Sequence, residues 1–153
     1  MAQNGNIKGP GRRRGNLEEA TFLELLRATD ALSRVLVQVL KERDLSPTQY
    51  NVLRILRGSR EGLTCGEIAA RMITRDPDIT RLLDRLEKRG LISRARETAD
   101  RRTVIARITP QGLKLLGRLD APVQRAHKNQ LGHLGPARLK ALSRLLAALR
   151  PAA

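Results

Sequence analysis

Two groups of polar and basic side chains in the middle of the chain have residue types and spacings that could do chemistry. The first group, Thr80, Arg81 and Arg85, recurs along one side of the segment 77–90. The second group places four arginines between positions 94 and 102. A guanidinium donates hydrogen bonds in a rigid fork that matches phosphate oxygens and the acceptor edge of guanine. The available chemistry is therefore anion and base-edge recognition.

The first group is expected to lie on a helix. Apolar residues at Ile79, Leu82, Leu83 and Leu86 follow the i, i+3, i+4, i+7 pattern of a helix with one buried side. Asp76 is expected as its N-cap with Pro77 at the first helical position, and Gly90 is expected to end it. The remaining residues then face outward, namely Asp78, Thr80, Arg81, Asp84, Arg85 and Lys88.

Position along this helix suggests different contacts for its outward residues. A short helix with Ile68, Ala69 and Met72 inward and a tight turn precede it, which is the order of a helix-turn-helix. Thr80 and Arg81, near its start, are best placed to reach base edges in a major groove, with Asp78 beside them. Arg75 in the turn could reach a base or a phosphate, whereas Arg85 is expected at phosphates or in solvent. A solvated helix face is the alternative for each arginine alone.

The second group is expected on a β-hairpin, or wing. Segments 91–97 and 103–108 suit strands, and residues 98–102 between them suit a turn. The hairpin carries Arg94, Arg96, Arg101 and Arg102, and a narrow A·T-rich minor groove attracts an inserted arginine. Asp100 is expected to orient an arginine or to brace the tip, with a plain turn-forming role as the alternative.

Capping signals mark the other helices. Asn16 followed by Glu19 opens a helix over 17–42, and Ser46-Pro47-Thr48-Gln49 opens one that ends at Gly58. Thr64 with Glu67, Thr109 with Pro110, and Gly135 with Pro136 begin three more. We therefore expect a mostly α fold with a small β-wing. Expected regions are a flexible basic arm 1–15, a dimerisation helix 16–45, a winged helix-turn-helix domain 46–109, and C-terminal dimerisation helices 110–153.

Composition agrees with a polyanionic partner. The net charge is +15 and the pI about 11.5, with +5 in residues 71–109 and +7 in residues 110–153. Because one Phe, one Tyr and no Trp are present, stacking on unpaired bases is disfavoured and double-stranded DNA is favoured over RNA. One cysteine fits a reducing cytoplasm, and no apolar run is long enough for a membrane span.

In the order of these motifs, the chain resembles the MarR family of winged helix-turn-helix regulators, over roughly residues 17–150. The matching residues are Ser46-Pro47-Thr48-Gln49-Tyr50, Leu63-Thr64, Glu67-Ile68-Ala69, Ile79-Thr80-Arg81-Leu82-Leu83-Asp84-Arg85-Leu86, Gly90-Leu91-Ile92, Asp100 and Arg102, Ile108-Thr109 and Gly112.

The resemblance implies an obligate homodimer, with a dimerisation region formed by the N- and C-terminal helices. It implies binding to pseudo-palindromic operators and, usually, repression. The family's recognition-helix contacts fall on Thr80 and Arg81, and its minor-groove arginine falls on Arg102. Many relatives bind small aromatic acids between the dimerisation region and the winged helix, so a small anionic or phenolic effector is expected as an option. Arg27, Arg54 or Arg57 could hold it or could be surface residues.

Other function classes are open to different degrees. A sequence-nonspecific architectural DNA-binding protein is the main alternative, because charge and a basic arm serve it equally well. No nucleophile–base pair, metal cluster or phosphate-binding loop is evident, so we expect neither an enzyme nor a cofactor. Cys65 at a helix start could sense oxidants but has no resolving partner. His127 and His133 are too sparse for a metal site in one chain.

Overall fold

The computed structural model describes residues 15–150. The expected flexible arm 1–15 therefore lies outside the described residues, apart from Gly15. The chain divides into two units between Ser33 and Arg34, a point that lies within helix α1, Leu17–Lys41. The expected helix over 17–42 is confirmed, and the Asn16 side-chain oxygen accepts a hydrogen bond from the Glu18 N–H at 3.1 Å.

The second unit contains the remaining elements. They are α2 (Pro47–Arg57), β1 (Leu63–Thr64), α3 (Cys65–Arg71), α4 (Ile79–Lys88), β2 (Ile92–Arg96), β3 (Val104–Ile108), α5 (Pro110–Leu131), a 3-10 turn (Gly132–Leu134) and α6 (Gly135–Ala148). The strands form one antiparallel sheet in the order β1-β3-β2. The expected mostly α fold with a small β-wing is confirmed, and the two-residue strand β1 was not expected.

Local capping explains why the early helices begin where they do. The Ser46 hydroxyl accepts from the Gln49 N–H at 3.1 Å, and the Gln49 side chain accepts from the Ser46 N–H at 3.0 Å. Thr64 and Glu67 form the same reciprocal pair at the start of α3. Hydrogen bonds from Thr64 lower the pKa of the Glu67 carboxyl. The bond from the Thr64 N–H has the larger effect, and the bond from the Thr64 hydroxyl adds to it. Both capping boxes are thus confirmed.

Helix α4 begins two residues later than the sequence suggested. The Asp78 carboxylate accepts from the Arg81 N–H at 3.1 Å and so caps the helix, while the Asp76 carboxylate accepts from the Asp78 N–H at 2.9 Å. The expectation that Asp76 caps α4 with Pro77 at its first position is therefore wrong. Both aspartates accept a nearby N–H, but Asp76 forms a local turn, whereas Asp78 starts the helix.

The end of α4 is confirmed at Gly90. The Gly90 N–H donates to the Glu87 carbonyl at 2.8 Å, and the Leu91 N–H donates to the Leu86 carbonyl at 3.0 Å. This pair of bonds is a Schellman motif, which requires a left-handed residue at Gly90, where φ is 70°. After this turn, Leu91 and Ile92 are buried in the core, and β2 begins at Ile92.

The core of the second unit fixes which side of α4 faces out. Leu82, Leu83 and Leu86 are buried, together with side chains from the helices and strands around them, including Leu53, Leu56, Ile68, Ile92 and Leu116. Ala69 is exposed, so the expectation that it faces inward is wrong, while Met72 is partly buried against the core. Helix α6 has no buried residue at all.

An arginine links the first wing strand to α4. The Arg94 guanidinium donates to Glu87 at 3.0 and 2.7 Å and also to Asp84, and the Arg94 N–H donates to Glu87 at 3.1 Å. The Arg94 side chain is 22% exposed. Hydrogen bonding to Glu87 raises the pKa of Arg94, partial burial opposes this, and Asp84 adds to the rise. These bonds hold the hairpin against the helix.

A tight approach of α5 to the residue before β2 and to the end of β3 gives a first prediction. A methyl group on Gly112 would lie 2.3 Å from the Leu91 carbonyl oxygen and 2.7 Å from Ile108, whereas one on Gly117 of the same helix would meet nothing. We expect Gly112→Ala to lower the free energy of unfolding by ~1–3 kcal/mol. Gly117→Ala should raise it by ~0.5–1 kcal/mol, because alanine favours a helix. Denaturant unfolding of both variants measures this, and equal stabilities would contradict it.

The Arg94 bonds give a second prediction. Arg94→Ala leaves two neighbouring carboxylates without their partner, so we expect the free energy of unfolding to fall by about 1–3 kcal/mol. Arg107→Ala, at an exposed position on the neighbouring strand, is the matched control and should change it by no more than ~0.5 kcal/mol. Denaturant unfolding decides, and equal losses in the two variants would show that the Arg94 bonds contribute nothing.

Candidate nucleic-acid interface

The outward side of α4 presents free donors near its start. Thr80, Arg81 and Arg85 are all exposed, because the leucines on the opposite side are buried. Within residues 15–150, the side chains of these three residues make no hydrogen bond or ion pair with the rest of the chain. Unlike an arginine already held by a carboxylate, these guanidinium groups keep every donor available for an external acceptor.

The connection between α3 and α4 contributes to the same region. Arg75 is exposed, and in the described part of the chain its guanidinium has no partner. Asp78 is exposed as well, but its carboxylate is engaged in capping α4. The chain at Ile73 is anchored, because the Ile73 N–H donates to the Asn51 side chain on α2 at 2.9 Å.

The tip of the wing is braced by Asp100. One carboxylate oxygen accepts from the Arg102 N–H and the other from the Thr103 hydroxyl, each at 3.0 Å. The Thr103 N–H also donates to the Asp100 carbonyl at 3.0 Å. Of the roles considered for Asp100, the structure shows bracing of the turn, and no arginine guanidinium is bonded to it.

The four arginines of the hairpin fall into two kinds. Arg94 is held by α4, and the Arg96 guanidinium donates to the Arg101 carbonyl at 2.7 Å. The side chains of Arg101 and Arg102 are exposed, with no partner in the described part of the chain. Arg94 and Arg96 thus bond within the structure, and the assignment of all four arginines to a DNA-binding wing stays a prediction.

A groove beside the first turn of α4 adds residues that the sequence did not single out. It has a volume of about 750 Å³ and is bordered by Arg81 and Arg85 of α4. Lys41, at the end of α1, and Thr48, in the first turn of α2, border it too. The only signal in the sequence was the polar start of α2 at Thr48, because placing Lys41 there depends on tertiary packing.

The C-terminal end of α4 is tied to the connection between α1 and α2. The Arg89 guanidinium donates to the Asp44 carbonyl at 2.6 Å and to the Arg43 carbonyl at 3.2 Å. Asp44 has a left-handed backbone with φ 52°. The helix that carries Arg81 is thus capped at its start by Asp78 and tied to a neighbouring segment at its end by Arg89.

A smaller cleft lies between α2 and α5. Its volume is about 280 Å³, and Tyr50, Arg54, Arg57, Asp120 and His127 are among the residues around it. The Arg57 guanidinium is bonded to both Asp120 carboxylate oxygens, at 3.0 and 2.9 Å, and Arg54 lies 5.8 Å from the centre of the Tyr50 ring.

The arginines named from the sequence as anion ligands are therefore engaged within the chain. Arg27, the third of them, donates to Glu24 in α1 at 2.7 Å.

Two features are absent from residues 15–150. This part of the chain holds no group of three or more His, Cys, Asp and Glu residues that could bind a metal ion. None of its helices is long and apolar enough to cross a membrane. Cys65 carries a free thiol of intermediate exposure.

Known proteins share this arrangement. The model of the MarR family matches residues 45–104. A MarR transcription factor from Planctomyces limnophilus is 40% identical, with a TM-score of 0.69, over 89% of this chain and 99% of that one. The transcriptional repressor CouR, solved bound to a 23-mer DNA duplex, is 30% identical with a TM-score of 0.78, over 92% and 99% of the two chains.

A curated relative matches over a shorter segment. The HTH-type transcriptional regulator TtmR of Methylorubrum extorquens is 33% identical over 105 residues, or 69% of this chain. The match covers 53% of TtmR, so the chain spans about half the length of that relative. Family, fold and motif order agree, and the chain belongs to the MarR family of DNA-binding transcription regulators, which are not enzymes.

Proposed function

We propose that this chain is a sequence-specific repressor that acts as a homodimer on a pseudo-palindromic DNA operator. The observation that carries the proposal is the exposed, unpartnered pair Thr80 and Arg81 at the start of a helix whose other side is buried. The first residues of such a helix reach base edges when it lies in a major groove. Because the leucines of the helix are buried and Arg89 ties its end, its donors are held in place before DNA binds.

The proposal gives each arginine near α4 a contact. Arg81 donates two hydrogen bonds to a guanine, which acts as a bidentate acceptor in the major groove. Thr80 contacts a neighbouring base, and Asp78 positions both residues by capping the helix. Arg75 and Arg85 contact phosphates on either side, since they lie before and one turn after the base-reading residues.

The wing would supply the minor-groove contact. Arg101 and Arg102 lie at its tip with free guanidinium groups, and Arg102 is the family's minor-groove position. Arg94 and Arg96 hold the hairpin in place, so their role in binding is indirect. A narrow A·T-rich minor groove next to the operator core would favour insertion of Arg102.

Exposed apolar surface supports the homodimer. On α6, Leu145 is 68% exposed, and Leu142 and Leu146 are exposed as well, while Leu149, directly after α6, is 67% exposed. On α1, Phe22 and Leu26 are exposed. A second copy that covers these side chains would remove them from water, and two copies would place their recognition helices about one DNA turn, ~34 Å, apart.

CouR is a repressor bound to a DNA duplex, and its likeness to this chain supports the same mode of action here. Release by a small anionic or phenolic effector is part of the proposal, with the cleft around Tyr50 and Arg54 as its site. An acid that binds there must compete with Asp120 for Arg57, because these two residues already form an ion pair. Since the operator lies on the chromosome, we propose a cytoplasmic location.

The alternative is an architectural protein that binds DNA without sequence preference. The net charge of +15 favours it equally well, because phosphate contacts dominate nonspecific binding. The free Arg81 at the start of α4 favours the specific repressor, since a phosphate-binding protein needs no base-reading residue on a fixed helix.

A competition experiment tests base reading. When the wild-type chain is bound to a duplex that it selected from a random pool, random DNA should compete poorly. The Arg81→Ala variant should bind the selected duplex more weakly, by about 1–3 kcal/mol, and its base preference should be relaxed at one base pair per half-site. Arg85→Ala is the matched control on the same helix and should weaken binding to all duplexes alike. If random DNA competes as well as the selected duplex, the architectural alternative is correct.

The homodimer has its own test. Leu145→Glu combined with Leu149→Glu places charges on the exposed leucine side of α6, so we expect the dimer to dissociate at concentrations where the wild-type chain remains paired. Lys140→Glu, at an exposed polar position of the same helix, is the control and should stay dimeric. Sedimentation velocity measures the assembly, and a monomeric wild-type chain would exclude the proposed dimer.

A further inference from the structure

One exposed apolar side chain belongs to neither the core nor the helices proposed to pair. Ile73 is 88% exposed, more than any other large apolar residue in the described part of the chain. The other exposed large apolar residues of the described part lie on α1, α5 and α6 or directly after α6, except for Val104 on β3. Ile73 occupies the connection between α3 and α4, two residues before Arg75, whose guanidinium has no partner within residues 15–150.

The backbone that carries Ile73 is held from several sides. Its N–H donates to the Asn51 side chain on α2 at 2.9 Å. The preceding residue, Met72, packs against the core, and the Arg71 guanidinium at the end of α3 donates to the Ser59 hydroxyl at 2.9 Å. A β-branched side chain also has few rotamers. Ile73 is therefore a rigid apolar group on a fixed surface, and placing it against a partner costs little conformational entropy.

The location of Ile73 limits what that partner could be. In the proposed complex, a duplex that receives Thr80 and Arg81 in its major groove would also meet the connection that leads into α4, because this connection directly precedes the first turn of the helix. In that groove, hydrogen-bonding groups line the base edges, and the apolar group is the C5-methyl of thymine. Phosphates on either side favour charged and polar residues, so an isoleucine offers nothing to them.

We propose that Ile73 contacts the C5-methyl group of a thymine in the major groove and so contributes a base preference next to the one read by Arg81. The inference rests on the proposed function, because it requires α4 to lie in that groove. It assigns sequence selectivity to a residue outside the recognition helix and to an apolar contact instead of a hydrogen bond.

The test compares thymine with uracil, which lacks only the C5-methyl group. The duplex selected from a random pool by the wild-type chain is synthesised with thymidine and again with deoxyuridine at every thymine. We expect the wild-type chain to bind the uracil duplex about fourfold more weakly per half-site, the factor that corresponds to one buried methyl group. Replacing thymines one at a time should place the loss at a single position in each half-site.

The variant Ile73→Ala completes the experiment. Because Ile73 is exposed, the substitution should leave the fold intact, and its binding to the thymine duplex should fall to about the level of the wild-type chain on uracil DNA. It should no longer distinguish the two duplexes. Val104→Ala, which removes the other exposed apolar side chain of this group, is the matched control and should keep the wild-type discrimination.

The other outcomes separate the two proposals. Equal binding of the wild-type chain to both duplexes overturns the methyl contact and leaves the sequence-specific repressor standing. An Ile73→Ala variant that is weaker on both duplexes but keeps the uracil penalty overturns it as well, because Ile73 would then touch sugars or backbone. If the wild-type chain selects no sequence from the pool, the proposed sequence-specific repressor is wrong.

Discussion

Burial of the apolar stripe on α4 is the constraint on which the rest of the structure depends. Leu82, Leu83 and Leu86 are removed from water, and each contributes roughly 1.5–3 kcal/mol relative to an exposed position. A helix with a 3.6-residue repeat cannot bury that stripe without turning its other side outward. The exposure of Thr80 and Arg81 is therefore set by the leucines, and a change of helix rotation would cost the core.

Local signals in the sequence were enough to predict the helices, the hairpin and most of the caps, because a cap or an apolar stripe involves residues only three or four positions apart. The start of α4 was misplaced, since Asp76 and Asp78 are chemically equal candidates and tertiary packing of Ile79 decides between them. Strand β1 was missed because two residues carry no repeat, and it exists only through pairing with β3. The roles of Arg94 and Arg96 also depend on neighbours that spacing does not reveal.

Arginines in this fold divide according to what surrounds them. Arg94 lies partly out of water, so two carboxylates and several hydrogen bonds compensate for the lost hydration of its charge. Arg81, Arg85, Arg101 and Arg102 are exposed and have no partner within residues 15–150, so their charges need no compensation inside the fold. The same residue type thus builds the scaffold and forms its candidate contact surface, and the two uses cannot be told apart by counting charge.

The bonds from Arg89 to the Arg43 and Asp44 carbonyls make α4 mechanically continuous with the end of α1. A stiff helix that is tied at one end passes a movement of that end along its length. In the proposed complex, a displacement of the 42–46 segment would therefore shift Thr80 and Arg81, at the opposite end of α4, relative to the base edges. Affinity for a duplex in this architecture is consequently sensitive to strain that arises well away from any nucleotide.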